Sequence, residues 1–147
     1  MIEPPKEDDV PALVGLMEDM MRHYGRTEFE PAAVRAQQIR AALFGTPPTA
    51  HALVARDGAE LVGIATYSFQ WPSDDLRPAV SMKDLYVAGP HRGRGVGEKL
   101  VRALRAIAAE RGSGRLEWMV NTWNDGARRF YDRLGARPHD SVVYRMY

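Results

Sequence analysis

Three glycines alternate with other residues in the run Arg92, Gly93, Arg94, Gly95, Val96 and Gly97. The run follows an apolar, strand-like stretch and opens a stretch with helical periodicity. Backbone N–H groups at a helix start lack partners within the helix, and the helix dipole is positive there, so anions bind well at this position. Glycines also let the backbone approach phosphate oxygens closely, and the arginines add positive charge. The run therefore predicts a phosphate site, although a glycine-rich turn without a ligand would have a similar sequence.

Two well-known phosphate loops do not match this run. A Walker loop ends in Gly-Lys followed by Ser or Thr, whereas Gly97 is followed by Glu98-Lys99-Leu100. A Rossmann loop has its third glycine at the sixth position and an acidic residue at the end of the next strand. Here the glycines alternate, and the next predicted strand ends at Asn121-Thr122-Trp123.

The composition excludes several other kinds of chemistry. The chain has no cysteine, which rules out a disulfide scaffold, a thiol nucleophile and a cysteine-ligated metal. No two of its four histidines stand at metal-ligand spacing, so no metal is predicted. A formal net charge of +1 provides no overall basic field for binding nucleic acid or an anionic membrane.

The length and the apolar content predict one domain over residues 1–147. The first residues show no basic-then-apolar signal pattern. No apolar run approaches the about 20 residues that a membrane-spanning helix needs. We therefore expect a cytoplasmic protein that does not enter a membrane.

Hydrophobic periodicity and turn residues predict the elements that position the glycine run. In chain order we predict helices at 9–24 and 31–43, strands at 52–55, 61–67 and 79–87, a helix at 96–111, a strand at 116–123, a helix at 125–134 with Asp125 as its cap, and a strand at 142–147. Such an order predicts an α/β protein with a mixed sheet and at least one strand–helix–strand crossover. Ligands favour the crevice at such a crossover.

The glycine run resembles the pyrophosphate loop of the GNAT superfamily of N-acetyltransferases, whose pattern is Gln/Arg-x-x-Gly-x-Gly/Ala. The resemblance continues upstream in Asp84-Leu85-Tyr86-Val87 and downstream in Trp123-Asn124-x-x-Ala127-x-x-Phe130-Tyr131-x-x-Leu134-Gly135-Ala136. It is closest to the diamine and thialysine N-acetyltransferase branch, which acetylates small amines. It implies a mixed, mostly antiparallel sheet with splayed central strands flanked by helices, acetyl-CoA as cosubstrate, and a homodimer.

The resemblance also implies roles for individual residues. The strand with Leu85, Tyr86 and Val87 would splay from the strand with Met119 and Val120, so that the amide-rich arm of acetyl-CoA pairs with the exposed backbone. Asn124 would hydrogen-bond that arm, with Ala127 and Phe130 packed beside it. Tyr131 would point its phenol at the thioester sulfur and act as the general acid that protonates the departing thiolate. The alternative is that Phe130 and Tyr131 are ordinary core residues.

Lys83 departs from the family pattern. Diamine-type relatives have Glu-Asp where this chain has Lys83-Asp84, and that glutamate is the usual candidate for the general base. A lysine cation does not accept a proton and repels a dicationic amine, which weakens the polyamine interpretation. Asp84 is the nearest remaining carboxylate, but regular alternation places it on the opposite face from Lys83 unless a bulge intervenes. A water chain is an equally good candidate for removing the proton.

For the acceptor, the resemblance points to the turn at 23–30 and the loop at 71–78, where Tyr24, Glu28 and Trp71 could contact an amine together with Lys83. A solvated acidic loop is an equally good interpretation of these segments. The predicted function is transfer of an acetyl group from acetyl-CoA to a primary amine by direct attack. The alternative is a non-catalytic acyl-CoA-binding sensor, which Lys83 favours but which would need neither Tyr131 nor Asn124.

Overall fold

A computed structural model describes residues 1–147 and contains one five-stranded sheet in the order β1-β2-β3-β4-β5. Strands β1 to β4 are antiparallel neighbours, and β5 is parallel to β4. The strands are β1 (Ile2–Glu3), β2 (His51–Asp57), β3 (Glu60–Gln70), β4 (Ala79–Val87) and β5 (Leu116–Glu117). The helices are α1 (Val10–His23), α2 (Ala32–Phe44), α3 (Val96–Glu110) and α4 (Asp125–Arg133). The expected mixed, mostly antiparallel sheet flanked by helices is confirmed.

Alternation along the strands divides the core into two layers. On one face, Leu53 and Ala65 pack with Leu100 and Leu104 of α3. On the other face, Ile64 packs with Leu13 and other residues of α1, and with Tyr86 of β4. The sheet is therefore covered on both faces where α1 and α3 cross it, and its apolar strands are correspondingly buried.

A β-bulge interrupts β4 in the middle. Thr66 of β3 lies opposite Asp84, whereas the next residue, Tyr67, lies opposite Met82, so Lys83 has no partner on β3. An extra residue of this kind bends the strand and changes the direction of the side chains beside it. The sequence allowed for a bulge at Lys83-Asp84, and the structure contains it.

The structure contradicts two of the predicted strands. One is shorter than predicted, and the other does not form. Only Leu116–Glu117 of the strand expected at 116–123 pairs with β4, because the following backbone diverges from β4 and forms no ladder. The strand expected at 142–147 does not form within this chain, because no backbone hydrogen bond joins residues 137–147 to any other residue. The short β1 was not expected from the sequence.

The cap of α4 also differs from the expectation. Asn124, not Asp125, is the N-cap residue, and its Oδ1 accepts a 3.2 Å hydrogen bond from the Ala127 N–H. Asp125 is the first residue of the helix itself. Asparagine and aspartate are both good N-cap residues, so the sequence alone did not distinguish these neighbours.

Candidate active site

The divergence of β4 and β5 creates the candidate site. The two strands pair only at Val80–Leu116 and Ser81–Glu117, and beyond these pairs they separate around a cleft of about 180 Å³. This is the splay of central strands that the resemblance implied. The cleft is lined by Tyr24, Met82, Lys83, Asp84, Leu85, Trp118, Met119, Val120, Asn121, Asn124, Ala127 and Tyr131.

Tyr131 reaches the cleft from α4. Its ring lies 4.8 Å from the Trp118 ring and 5.2 Å from the Phe130 ring, measured between centroids. Burial, with a smaller contribution from nearby Tyr24, raises the pKa of Tyr131 to about 12. The phenol therefore remains protonated across the neutral pH range, which is the form that a general acid needs before it acts.

Asn124 lies at the start of α4, also in the cleft wall. Its side-chain oxygen is used in the helix cap, because it accepts from the Ala127 N–H. The side-chain NH₂ group makes no hydrogen bond within the chain, so two donors remain for a ligand. An amide-rich ligand arm offers carbonyl oxygens that match such donors.

The bulge in β4 brings Lys83 and Asp84 into the same cleft. The Thr66 hydroxyl donates a 2.8 Å hydrogen bond to Oδ2 of Asp84, and the Asp84 N–H donates to the same hydroxyl oxygen at 3.1 Å. Asp84 is thereby fixed in one orientation on the side of the sheet that α1 covers. Tyr24, just after α1, completes this side of the cleft.

The glycine run leads from β4 into α3. Gly93 and Gly95 adopt positive φ angles of 75° and 78°, a conformation that glycine reaches at little cost. Gly95 is the N-cap of α3 and supplies no side-chain acceptor, so the first N–H groups of α3 have no side-chain cap. This end of α3 has the geometry that the sequence analysis associated with a phosphate.

Gly97 has a different role from its neighbours in the run. A Cβ at this position would lie 3.3 Å from Cζ of Phe130 and 3.8 Å from Cγ2 of Val87. The absence of a side chain therefore lets α4 pack against the first turn of α3. Val96 is likewise a packing residue, since it lies partly buried against the core on the α3 face.

The two arginines of the run are placed differently from each other. The Arg92 Nε donates a 2.8 Å hydrogen bond to the Val87 carbonyl, and its guanidinium lies 5.4 Å from the centre of the Tyr86 ring. Arg92 thus joins the run to the end of β4 while keeping its charge there. Arg94 is exposed and has no hydrogen bond or ion pair within the chain.

Several residues expected in the site do not line the cleft. Glu28 is exposed in the α1–α2 turn, where its carbonyl accepts a 3.0 Å bond from Arg26 Nε. Trp71 is exposed, and its indole N–H donates 2.7 Å to the Leu76 carbonyl within its own loop. Tyr86 is buried in the α1-side core, beside His23.

The cleft also contains residues that the sequence analysis did not assign to it. Trp118 and Asn121 line the wall opposite β4, and Thr66 holds Asp84 from the neighbouring strand. Thr66 carried a usable signal, because it is the one residue with an aliphatic hydroxyl within the apolar run at 61–67. A buried hydroxyl in such a run needs a polar partner across the sheet.

The family comparison agrees with this geometry. The model of the Acetyltransferase (GNAT) family matches residues 15–136. The chain belongs to this family, and membership supports acyl transfer to an amine as its reaction.

Individual relatives are consistent with that assignment. The thialysine N-epsilon-acetyltransferase of Bos taurus is 28% identical over 145 residues, which cover 93% of this chain and 84% of the relative. The solved structure of a V. cholerae integron cassette protein has a TM-score of 0.91 and 26% identity, and the match covers 100% of this chain and 91% of that one. The ribosomal-protein-alanine N-acetyltransferase of Brucella melitensis shares the fold, with a TM-score of 0.80 at 22% identity over 99% of each chain.

Two further findings concern metal ions and membranes. No group of three or more His, Asp or Glu side chains is arranged to hold a metal ion. None of the helices is both long enough and apolar enough to span a bilayer.

Proposed function

We propose that the chain transfers an acetyl group from acetyl-CoA to a primary amine by direct attack within the cleft between β4 and residues 118–121. The observation that carries this proposal is the position of Tyr131, a partly buried, protonated phenol in the same cleft as Lys83 and Asp84. A non-catalytic acyl-CoA sensor would have no use for a proton donor at this point.

Two features of the chain match acetyl-CoA, the proposed acetyl donor. The uncapped start of α3, with Gly93 and Gly95 in the left-handed conformation, suits the pyrophosphate. The backbone of Trp118, Met119 and Val120 makes no backbone hydrogen bond within the chain, so it offers free groups to an extended amide chain. When bound there, acetyl-CoA would supply the activated acetyl group as a thioester.

Tyr131 would act on the leaving group. As the C–S bond breaks, the thiolate takes a proton, and the phenol of Tyr131 donates it. The high pKa of Tyr131 keeps that proton in place until the leaving group develops negative charge. No covalent enzyme intermediate is needed, which agrees with the absence of cysteine.

The amine would approach from the side of Tyr24 and Asp84. Asp84 is fixed by Thr66 and lies where it can attract an ammonium group or accept its proton. A water relay through the open cleft is the other candidate for the base. Lys83 in the same wall disfavours a second ammonium group that has no carboxylate beside it, as in a diamine, and favours an acceptor that also carries a carboxylate.

The relatives' names agree with that acceptor chemistry. They include thialysine and L-ornithine acetyltransferases, whose named substrates carry a carboxylate besides their two amines. We infer that this chain acetylates a small amine of the amino-acid type. The cytoplasmic location stays a prediction from the sequence.

The test is a thiol-release assay with purified protein and acetyl-CoA against a panel of amino acids, diamines, polyamines and aminoglycosides. We expect amino acids with side-chain amines to give the highest kcat/KM. Binding of acetyl-CoA without thiol release from any member of the panel would favour the sensor instead.

A further inference from the structure

We propose that Lys83 is a self-acetylation site: when no free amine occupies the cleft, the chain transfers an acetyl group from acetyl-CoA to Nζ of its own Lys83. The modification removes a positive charge from the cleft and shifts the preferred acceptor from amino acids towards polyamines. This inference rests on the proposed function, because the same cleft performs the reaction.

Lys83 carries the one side-chain amine of the cleft. The chain has three lysines, at positions 6, 83 and 99, and only Lys83 is among the residues that line the cleft. The bulge in β4 accounts for its position, since Lys83 has no partner on β3. A primary amine, the acceptor group of the proposed reaction, is therefore attached to the cleft wall itself.

No other side chain holds this amine in place. Lys83 is exposed and forms no ion pair or hydrogen bond with another side chain of the chain. The neighbouring Asp84 is fixed by Thr66, whose hydroxyl donates a 2.8 Å hydrogen bond to Oδ2 of Asp84. The flexible aliphatic stem of Lys83 is therefore free to turn Nζ into the cleft.

The small size of the cleft favours transfer within one chain. Its volume is about 180 Å³, below the about 300–1,000 Å³ of common ligand pockets. An amine tethered to the wall of such a space meets a bound thioester at a high effective concentration. Lys83 then competes well whenever no free acceptor lies between it and the thioester.

The groups needed for the transfer all line the same cleft. The Lys83 ammonium loses a proton to Asp84 or to water, and the free Nζ attacks the carbonyl carbon of the thioester. The new C–N bond forms, the C–S bond breaks, and the Tyr131 phenol protonates the departing thiolate. Overall, one ammonium and one thioester give one amide, one thiol and one proton. The amide is a stable product, not an intermediate on the way to the free amine acceptor.

The modification changes which acceptor suits the cleft. Acetylation replaces the Lys83 ammonium with a neutral amide. The cleft then no longer repels a second ammonium group, and it no longer attracts a carboxylate. A chain that has met acetyl-CoA without an amino acid would therefore favour polyamines.

Mass spectrometry tests the site. Purified protein is incubated without an amine but with acetyl-CoA that carries a deuterated acetyl group, and the label at each lysine is measured after digestion. Lys6 and Lys99 are internal controls for uncatalysed acetylation, because both are exposed and neither lines the cleft. We expect Lys83 to be labelled about tenfold faster or more than either control. Equal labelling of the three lysines would overturn the proposal.

Two further measurements assign the labelling to the chain's own cleft. Tyr131→Phe should slow labelling of Lys83 by about tenfold or more without changing the rates at Lys6 and Lys99. Dilution of the protein should leave the rate constant at Lys83 unchanged, because the amine and the bound thioester belong to one chain. Undiminished labelling of Lys83 in Tyr131→Phe, or a rate constant proportional to protein concentration, would contradict transfer within one cleft.

Steady-state kinetics test the effect on the acceptor. Protein that has been acetylated at Lys83 should show a ratio of kcat/KM for spermidine to kcat/KM for L-ornithine that is raised about fivefold or more. Lys83→Gln, which lacks the charge, should show the raised ratio without prior incubation. Lys83→Arg is the matched control, since its ratio should not change on incubation with acetyl-CoA. An unchanged ratio in the acetylated protein, or an equal shift in Lys83→Arg, would overturn the effect on selectivity.

The same experiments separate this inference from the proposed function. Thiol release with a free amine, together with an unlabelled Lys83, would overturn self-acetylation and leave the proposed function standing. If neither a free amine nor Lys83 accepts the acetyl group, both fail.

Discussion

The Thr66 hydroxyl and the Asp84 carboxylate are joined across β3 and β4 by a 2.8 Å hydrogen bond, directly beside the bulge at Lys83. The same hydroxyl accepts from the Asp84 N–H, so one small buried side chain controls both the backbone and the side chain of Asp84. The Thr66–Asp84 pair therefore holds a carboxylate in the cleft at the point where the register of β3 against β4 shifts.

Thr66→Val should lower kcat/KM for the best amine by about threefold to tenfold, because Asp84 loses the hydrogen bond that orients it. Thr66→Ser keeps the hydroxyl and should retain most of the activity. Steady-state kinetics on both variants provide the measurement. If Thr66→Val and Thr66→Ser reduce kcat/KM equally, the hydrogen bond to Asp84 is not the cause of the loss.

Asp84→Asn separates the two candidates for the base. If Asp84 accepts the proton, the variant should lose about 100-fold or more in kcat/KM. If a water relay performs this step, the loss should be small and should appear mainly in KM. The full pH–rate profile of wild type and variant distinguishes these results.

Tyr131→Phe should keep the affinity for acetyl-CoA and slow acetyl transfer by about tenfold or more, because the leaving thiolate loses its proton donor. In the wild type, the pKa of about 12 means that the phenol stays protonated as the pH rises from 7 to 10. The rate should therefore not fall over that range through loss of this proton. Calorimetry and stopped-flow thiol detection make the two measurements, and unchanged turnover in Tyr131→Phe would exclude the role.

Gly95→Trp should abolish binding of CoA, because the indole would cover the start of α3. The fold should survive, since nothing lies within 4 Å of a Cβ at this position. Gly58→Trp is the matched control: Gly58 also has a positive φ and open space, but lies in the β2–β3 turn. Both variants carry similar backbone strain, so titration calorimetry that shows equal CoA affinity for the two would refute the phosphate assignment.

Lys83→Glu should extend activity to spermidine, because the substitution replaces a repelling cation with an acceptor for a second ammonium group. Activity on amino acids with side-chain amines should fall in the same variant. Lys6→Glu changes the net charge equally at an exposed position and should alter neither activity. No gain with spermidine would remove the reason for doubting polyamine substrates.

Asp9→Asn should make the free energy of unfolding depend less on pH in acidic solution. The Arg56 guanidinium, at 2.8 Å from Oδ2 of Asp9, lowers the pKa of that carboxyl, and the Lys6 N–H adds to the effect. The ion pair therefore contributes stability above the usual aspartate pKa of about 4, and this stability is lost as the pH falls through the lowered value. Urea unfolding at neutral and acidic pH should show a smaller difference in the free energy of unfolding for the variant.

The sequence predicted the parts of the fold that depend on local patterns. The apolar stretch ending at Gly89-Pro90 gave the bounds of β4, and the stripe from Val96 onward gave α3. Tyr131 and Asn124 were found through the resemblance of their motif to the GNAT family, Asp84 was found as the carboxylate next to Lys83, and the structure brings all three into one cleft.

The remaining features depend on neighbours that no local pattern reveals. Residues 118–120 are as apolar as a strand, but they diverge from β4 and have nothing to pair with. The same holds for Tyr144 and its neighbours, because β-propensity describes a preference for a pleated surface and does not supply a partner. The bulge at Lys83 likewise depends on the register of β3 against β4, which requires both strands together.

The ladder between β4 and β5 is only two residue pairs long, and α4 contains no fully buried residue. Segments with so few buried contacts and ladder bonds open locally at a small fraction of the free energy of global unfolding. The four antiparallel strands can then stay intact while α4 swings away with Asn124 and Tyr131. Such an excursion would open a path by which a long product molecule could leave after each turnover.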